Sequence, residues 1–167
     1  MEASKVQIHP VSSSEDIVTT AKLAAEIWKQ HYTPIIGAAQ VTYMLDKFQS
    51  IDVMTQQISE GYLYYLLRGN SQLGYLCIKE EEEQSLFISK IYLKANQRGN
   101  GYGKQMMEFA MKKALELNLS QLRLTVNKYN SKTIAAYERM GFIKKREVVF
   151  DIGNGYVMDD YEMVLKL

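Results

Sequence analysis

Apolar and polar positions change their period several times along the chain, and each change marks an element. Lys5 to His9 alternates as a short first strand. Ser13, with Asp16 three residues on, is a capping-box signal for a helix start. Ile17, Ala21, Ala24 and Trp28 then recur at helical spacing, with Lys22 and Glu26 as an outward i,i+4 pair. Thr33-Pro34 and Gly37 are expected to interrupt this helix. Ala39 to Glu60 carries further helical pieces, with Met44, Leu45, Phe48, Val53, Met54, Gln57 and Ile58 on inner faces.

From Gly61 the pattern becomes that of strands. Tyr62 to Leu67, a Gly69-Asn70 turn and Gln72 to Lys79 read as a β-hairpin, closed by the run Glu80 to Glu83 as a solvated turn. Leu86 to Leu93 is a further strand. Tyr102 to Asn118 is an amphipathic helix, with Tyr102, Met106, Phe109, Ala110, Ala114 and Leu117 as its apolar stripe and Lys104, Glu108, Lys112 and Glu116 opposite. Leu122 to Val126 alternates as a strand, Asn130 caps a short helix through Met140 that Gly141 stops, and Phe142 to Phe150 with Tyr156 to Leu167 form a closing hairpin. The predicted order is β-α-α-β-β-β-α-β-α-β-β, an α/β chain of α+β character.

At 167 residues, 47% of them apolar, the chain is expected to form one domain over residues 1–167. Its 20 Lys+Arg against 19 Asp+Glu argue against a nucleic-acid partner, because counterion-driven binding needs a concentrated basic face. An anionic ligand must then be held by local geometry. The single cysteine, Cys77, excludes an internal disulfide and a cysteine-based zinc site, and its apolar surroundings predict a buried structural thiol; no metal site is expected. No stretch reaches the roughly 18 apolar residues needed to cross a bilayer. With no signal-peptide core at Met1 to His9, a cytoplasmic location without membrane association is expected.

The chemistry concentrates in Lys90 to Lys104, a strand leading through glycines into the strong helix. Glycines at 99, 101 and 103 let backbone N–H groups converge, and the helix N-terminus adds partial positive charge, so this loop is suited to a phosphate or pyrophosphate. Arg98 and Lys104 add formal charge beside it. A Walker loop does not fit, since Arg98 stands where its first glycine belongs and Gln105 where its hydroxyl belongs. A dinucleotide fingerprint fails at Lys104, where its third glycine is required.

The segment Arg98-x-x-Gly101-x-Gly103 resembles the pyrophosphate loop of the GNAT superfamily of acetyl-coenzyme A dependent N-acetyltransferases. Asn130 to Phe142 matches that family's N-x-x-x-x-x-x-Y-x-x-x-G-F helix, with Tyr137 at the tyrosine. The resemblance implies a mixed, mostly antiparallel sheet of about seven strands flanked by about four helices. It also implies that acetyl-CoA is the cosubstrate and that a primary amine, a small polyamine-like molecule or a peptide or protein amino group, is the acceptor. Ile91, Tyr92 and Leu93 would pair their backbone with the pantetheine arm, the Leu93 N–H facing the thioester carbonyl. Arg98, Gly99, Asn100, Gly101, Tyr102, Gly103 and Lys104 would bind the pyrophosphate. Asn130 would hydrogen-bond the pantetheine region, and Tyr137 would sit beside the sulfur as the catalytic acid.

Many family members carry a glutamate on the strand before the loop, whereas this chain has Phe87 and Ser89 there. The general base is therefore open between a water relay, a backbone carbonyl and a side chain from another element. A lysine-like acceptor, with a reference pKa of about 10.4, needs such a base more than an α-amino group near about 8. His31 is the nameable candidate, in a segment that lines the acceptor side in this family, and Trp28 and Tyr32 share that segment. Asp159-Asp160 on the last hairpin is a second candidate feature, suited to attracting a cationic amine. The reading from a different class is an acyl-CoA binding or sensor protein without turnover. The tyrosine-rich hairpin and the closing hairpin are compatible with a homodimer.

Overall fold

The computed structural model describes residues 6–167. The first strand, β1, is Gln7–Pro10; Lys5, expected to open it, lies outside the described residues. Helix α1 spans Ser14–Ile36, and Ser13 Oγ accepts the Asp16 backbone N–H at 3.1 Å. The capping box is half formed, because the Asp16 carboxylate turns to Arg68 Nη2 at 2.9 Å and to His9 Nε2 at 3.2 Å. The expected interruption at Thr33-Pro34 does not occur. Pro34 lies inside the last turns of α1 and Gly37, at φ 88°, ends the helix with its N–H on the Thr33 carbonyl. The carbonyl that Pro34 deprives of a donor belongs to Gln30, an exposed residue, so water can serve it.

The next helical stretch divides into α2 (Ala38–Phe48) and α3 (Ile51–Ser59), because Ser50 Oγ accepts the Val53 N–H and starts a new helix. There follow β2 (Leu63–Arg68), β3 (Gln72–Glu81), β4 (Ser85–Leu93), a 3-10 turn (Ala95–Gln97), α4 (Tyr102–Glu116), β5 (Gln121–Asn127), α5 (Ser131–Arg139), β6 (Ile143–Gly153) and β7 (Tyr156–Lys166). The seven strands form one mostly antiparallel sheet in the order β1-β2-β3-β4-β5-β7-β6, in which β4 and β5 are parallel. This is the mixed α/β architecture expected.

By compactness the chain divides into two units. The first holds the described residues up to Lys79 together with Lys90–Phe109. Its core joins Leu23, Ala24 and Ile27 of α1 and Met54 of α3 to Tyr64, Leu66, Tyr75 and Cys77 of the sheet. Phe109, on α4, meets Tyr65 edge-on at 4.8 Å. Cys77 is fully buried, as a structural thiol should be.

The second unit holds Glu80–Ser89 and Ala110–Leu167. Ala110, Ala114, Leu122, Leu124, Phe142 and Met163 are among its buried side chains. Leu117, expected on the inner stripe, is 41% exposed. The chain turns at Asn118 (φ 59°) and Leu119 enters the interior instead, its N–H reaching back to the Ala114 carbonyl at 2.8 Å. The acidic run is also divided: Glu82 and Glu83 are exposed, but Glu81 still belongs to β3 and takes two hydrogen bonds from Arg123. No helix among the described residues is long and apolar enough to cross a membrane.

Candidate active site

In the first unit, β4 delivers its last residues, Ile91, Tyr92 and Leu93, half-buried to the start of the glycine loop. Gly74 of β3 fixes that end. A Cβ on Gly74 would stand 2.3 Å from the Tyr92 carbonyl oxygen and 2.9 Å from Leu93 Cδ2, and the Lys94 N–H bonds the Leu73 carbonyl at 2.9 Å. Sequence reading passed over this glycine; its signal was an isolated Gly within a strand pattern, which marks close backbone approach.

The loop itself runs Arg98-Gly99-Asn100-Gly101 into α4. Gly99 and Gly101 have φ of 83° and 80°, values that residues with a side chain adopt at a cost, and a Cβ on either would meet nothing within 4 Å. Gly103 differs from expectation: it lies in the first turn of α4 with no positive φ, and an added Cβ would make ordinary contact with Leu93 Cδ1 at 3.7 Å. Two glycines, not three, shape the loop. Arg98 and Asn100 are exposed, Tyr102 is half-buried, and Lys104 is exposed with its amine 3.9 Å from Glu108. Open space around two left-handed glycines, flanked by exposed cations at the start of a 15-residue helix, fits a phosphate-bearing ligand.

Trp28 and Tyr32 of α1 pack on each other at 4.4 Å and against Tyr92 at 5.5 and 6.3 Å between ring centres; Tyr75 meets Tyr92 in a tilted pair at 5.3 Å. With Trp28 5% and Tyr32 8% exposed, these rings support the strand end rather than floor an open pocket. Tyr75 is anchored by a 3.0 Å hydrogen bond to Gln49 Oε1. Burial pushes the Tyr75 phenol up, so it stays neutral. His31 stands at the loop: Arg98 Nη1 donates to its Nδ1 at 3.2 Å, and its ring meets Tyr32 edge-on at 4.7 Å. Lys90 is a buried cation that the sequence did not single out. Its amine bonds Gln57 Oε1 at 3.0 Å and lies 5.1 Å from the Tyr64 ring centre, and burial lowers it from the usual lysine range.

In the second unit, Asn130 precedes α5 at 5% exposure but its side chain makes no capping bond. Its N–H goes to the Asn127 carbonyl at 3.0 Å, and its own carbonyl accepts from Ile134. The amide group is therefore not consumed by the helix it opens. Tyr137 is 9% exposed, with its ring centre 5.7 Å from that of Phe142, and its carbonyl accepts the Met140 and Phe142 N–H groups as the chain leaves the helix at Gly141 (φ 105°). Asp159 and Asp160 part company. Asp159 pairs with Lys128 at 2.8 Å, whereas Asp160 is 3% exposed on β7 opposite Asn127. Burial, reinforced by the Asp159 charge, raises its carboxyl to about 6, against the opposing influence of Thr125 and Lys128.

A family model for the acetyltransferase (GNAT) family matches residues 24–142, well over half of the chain. The chain belongs to this family. A curated relative, the "Uncharacterized N-acetyltransferase in pepI 3'region" of Lactobacillus delbrueckii subsp. lactis, is 27% identical over 151 residues, covering 85% of this chain and 87% of the relative. Among solved structures, the PaiA N-acetyltransferase from Thermoplasma acidophilum in complex with coenzyme A superposes with a TM-score of 0.82 at 21% identity, over 98% of this chain and 99% of that one. A mutant of the spermidine N-acetyltransferase SpeG from Vibrio cholerae superposes with a TM-score of 0.68 at 15% identity, over 96% and 93%. The two solved structures share the fold of this chain over nearly its whole length. The protein is a GNAT-family N-acetyltransferase.

Proposed function

We propose that residues 1–167 act as a single N-acetyltransferase domain, located in the cytoplasm, that moves the acetyl group of acetyl-CoA to the primary amine of a small polyamine-like molecule or of a peptide. The observation that carries this reading is the loop Arg98–Gly101: two left-handed glycines with open space around them, exposed cations beside them, and a helix start directly behind. Support for the cosubstrate and for polyamine acceptors comes from the coenzyme A complex of PaiA and from the activity in the name of SpeG.

Bound acetyl-CoA supplies an activated thioester. Arg98, Gly99, Asn100, Gly101, Tyr102, Gly103 and Lys104 hold its pyrophosphate, and the backbone of Ile91, Tyr92 and Leu93 pairs with the pantetheine arm. The Leu93 N–H faces the thioester oxygen, where a fixed donor lowers the barrier by roughly 3–4 kcal/mol as negative charge develops. Asn130 hydrogen-bonds the pantetheine region through its uncapped amide. The amine nitrogen bonds the thioester carbon as the C–S bond breaks, Tyr137 gives its hydroxyl proton to the departing sulfur, and the proton shed by the new amide nitrogen passes through water to restore the phenol. Trp28 and Tyr32 serve the acceptor side through Tyr92, by holding the strand end in place. A homodimer is the proposed assembly.

The test is an amine panel read by release of free CoA thiol, with Tyr137→Phe run alongside. Amine-dependent release by the natural protein, lowered at least about tenfold in kcat by Tyr137→Phe, is the expected result. A protein that binds CoA but releases no thiol with polyamines, amino acids, aminoglycosides or peptide N-termini is a binding or sensor protein instead. A full rate for Tyr137→Phe at every pH removes the acid role from that residue.

A further inference from the structure

We infer that His31 is a positioning residue of the cofactor site: it holds the Arg98 guanidinium in place for the pyrophosphate of coenzyme A, and does so only in its neutral form. The inference rests on the assignment of Arg98 to the pyrophosphate.

The geometry starts from a single contact between distant parts of the chain. Arg98 lies in the loop before α4, His31 lies near the end of α1, and Arg98 Nη1 reaches His31 Nδ1 at 3.2 Å. A guanidinium has only donors, so the imidazole must accept. Nδ1 then carries the lone pair, and the ring's proton sits on Nε2. The ring is not free to wander, because it stands edge-on to Tyr32, which packs on Trp28 and Tyr92 at the end of β4. The strand that pairs with the pantetheine arm and the arginine that meets the pyrophosphate are thus tied to one turn of α1. An exposed arginine on a glycine loop has many rotamers to lose when it grips an anion. A neutral acceptor that already aims it removes part of that loss from the binding step.

The same contact rules out a simple base role for Nδ1, whose lone pair faces a cation. It also carries a sign for pH. Protonating His31 would set a donor against a donor and a cation against a cation, so the contact exists above the imidazole's titration and is lost below it. The charged group that meets the ring is the Arg98 guanidinium; the same segment is tied to α1 a second time by Lys94, whose amine pairs with Glu26 at 3.6 Å.

Calorimetric titration of the whole protein with coenzyme A, at pH 7.5 and at pH 5.5, separates the possibilities without any acceptor amine. His31→Ala is expected to weaken CoA binding about fivefold to tenfold at pH 7.5, the range of one charge-assisted contact at an exposed site. His31→Asn, which offers an oxygen acceptor that does not titrate, is expected to restore most of that affinity and to lose less of it at pH 5.5 than the natural protein does. Arg98→Ala should weaken binding further, with no additional loss from His31→Ala in its background. Unchanged CoA affinity in His31→Ala, with Arg98→Ala clearly weakened, overturns the positioning role and leaves the pyrophosphate assignment standing. Unchanged affinity in Arg98→Ala overturns both. Failure of His31→Asn to rescue, with its melting temperature unchanged, also overturns the role.

Discussion

Gly74 and Tyr92 face each other across the first unit so closely that one added carbon on Gly74 would lie 2.3 Å from the Tyr92 carbonyl oxygen. The oxygen belongs to rigid strand backbone, so the clash cannot be relieved by a side-chain rotation. Gly74→Ala is expected to cost about 1–3 kcal/mol of stability, the ordinary range for overpacking, and to raise the acetyl-CoA KM by displacing the strand end at Leu93. Thermal melting and initial-rate kinetics check the two effects; an unchanged melting temperature contradicts the first.

The loop glycines separate in the same manner. Gly101→Ala places a side chain at φ 80° and is expected to cost about 1–2 kcal/mol locally and to weaken CoA binding. Gly103→Ala sits at an ordinary helical position with 3.7 Å of clearance, so stability should hold or rise by up to about 1 kcal/mol. Equal effects of the two substitutions on stability would contradict the structure.

Asp160 predicts a pH dependence with a definite sign. Its carboxyl is raised to about 6 by burial first and by Asp159 second. The folded chain therefore holds this proton more tightly than the unfolded chain, whose aspartates titrate near about 3.9. The contribution of this group to stability is greatest below about pH 4, falls as the pH rises to about 6, and stays low above that. Asp160→Asn should flatten this part of the profile and stabilise the protein by about 1–3 kcal/mol at pH 7.5, measured by urea unfolding across pH.

Arg123 ties β5 to β3 and β4 within the second unit. Its guanidinium donates to both Glu81 oxygens at 3.0 and 2.8 Å and lies 4.2 Å from the centre of the Phe87 ring. Arg123→Lys keeps the charge but loses both the fork and the stacking. A loss of about 1–2 kcal/mol in urea unfolding is expected, with Glu81→Gln showing a smaller loss in the lysine background than in the natural protein.

Much of the fold was legible because period and punctuation are local. Ser13 and Gly37 mark helix ends, one by its hydroxyl and the other by its left-handed backbone, and the alternation of Leu122, Leu124 and Val126 reports one buried face. The glycine loop could be read for the same reason, since a left-handed backbone and a helix start are written in adjacent residues. Pro34 misled because it is the third residue from the end of α1, where only one carbonyl loses its donor and that carbonyl belongs to an exposed residue, a fact of the tertiary structure. Leu117 misled because the helical stripe continues in sequence one residue past Glu116, where α4 ends.

The run of strands and helices, except the division of α2 from α3, the α/β class and the glycine turn into α4 follow from the sequence alone, because each depends on neighbours within a few residues. Only the tertiary structure decided what stands opposite those elements. It placed Gly74 under Tyr92, Arg98 on His31, Glu81 on Arg123 and Asp160 in the interior of β7. Those partners lie eighteen to sixty-seven residues apart where they are pairs. The physical reason is that a contact at such separation is set by how strands register and helices pack, and no local periodicity carries that information.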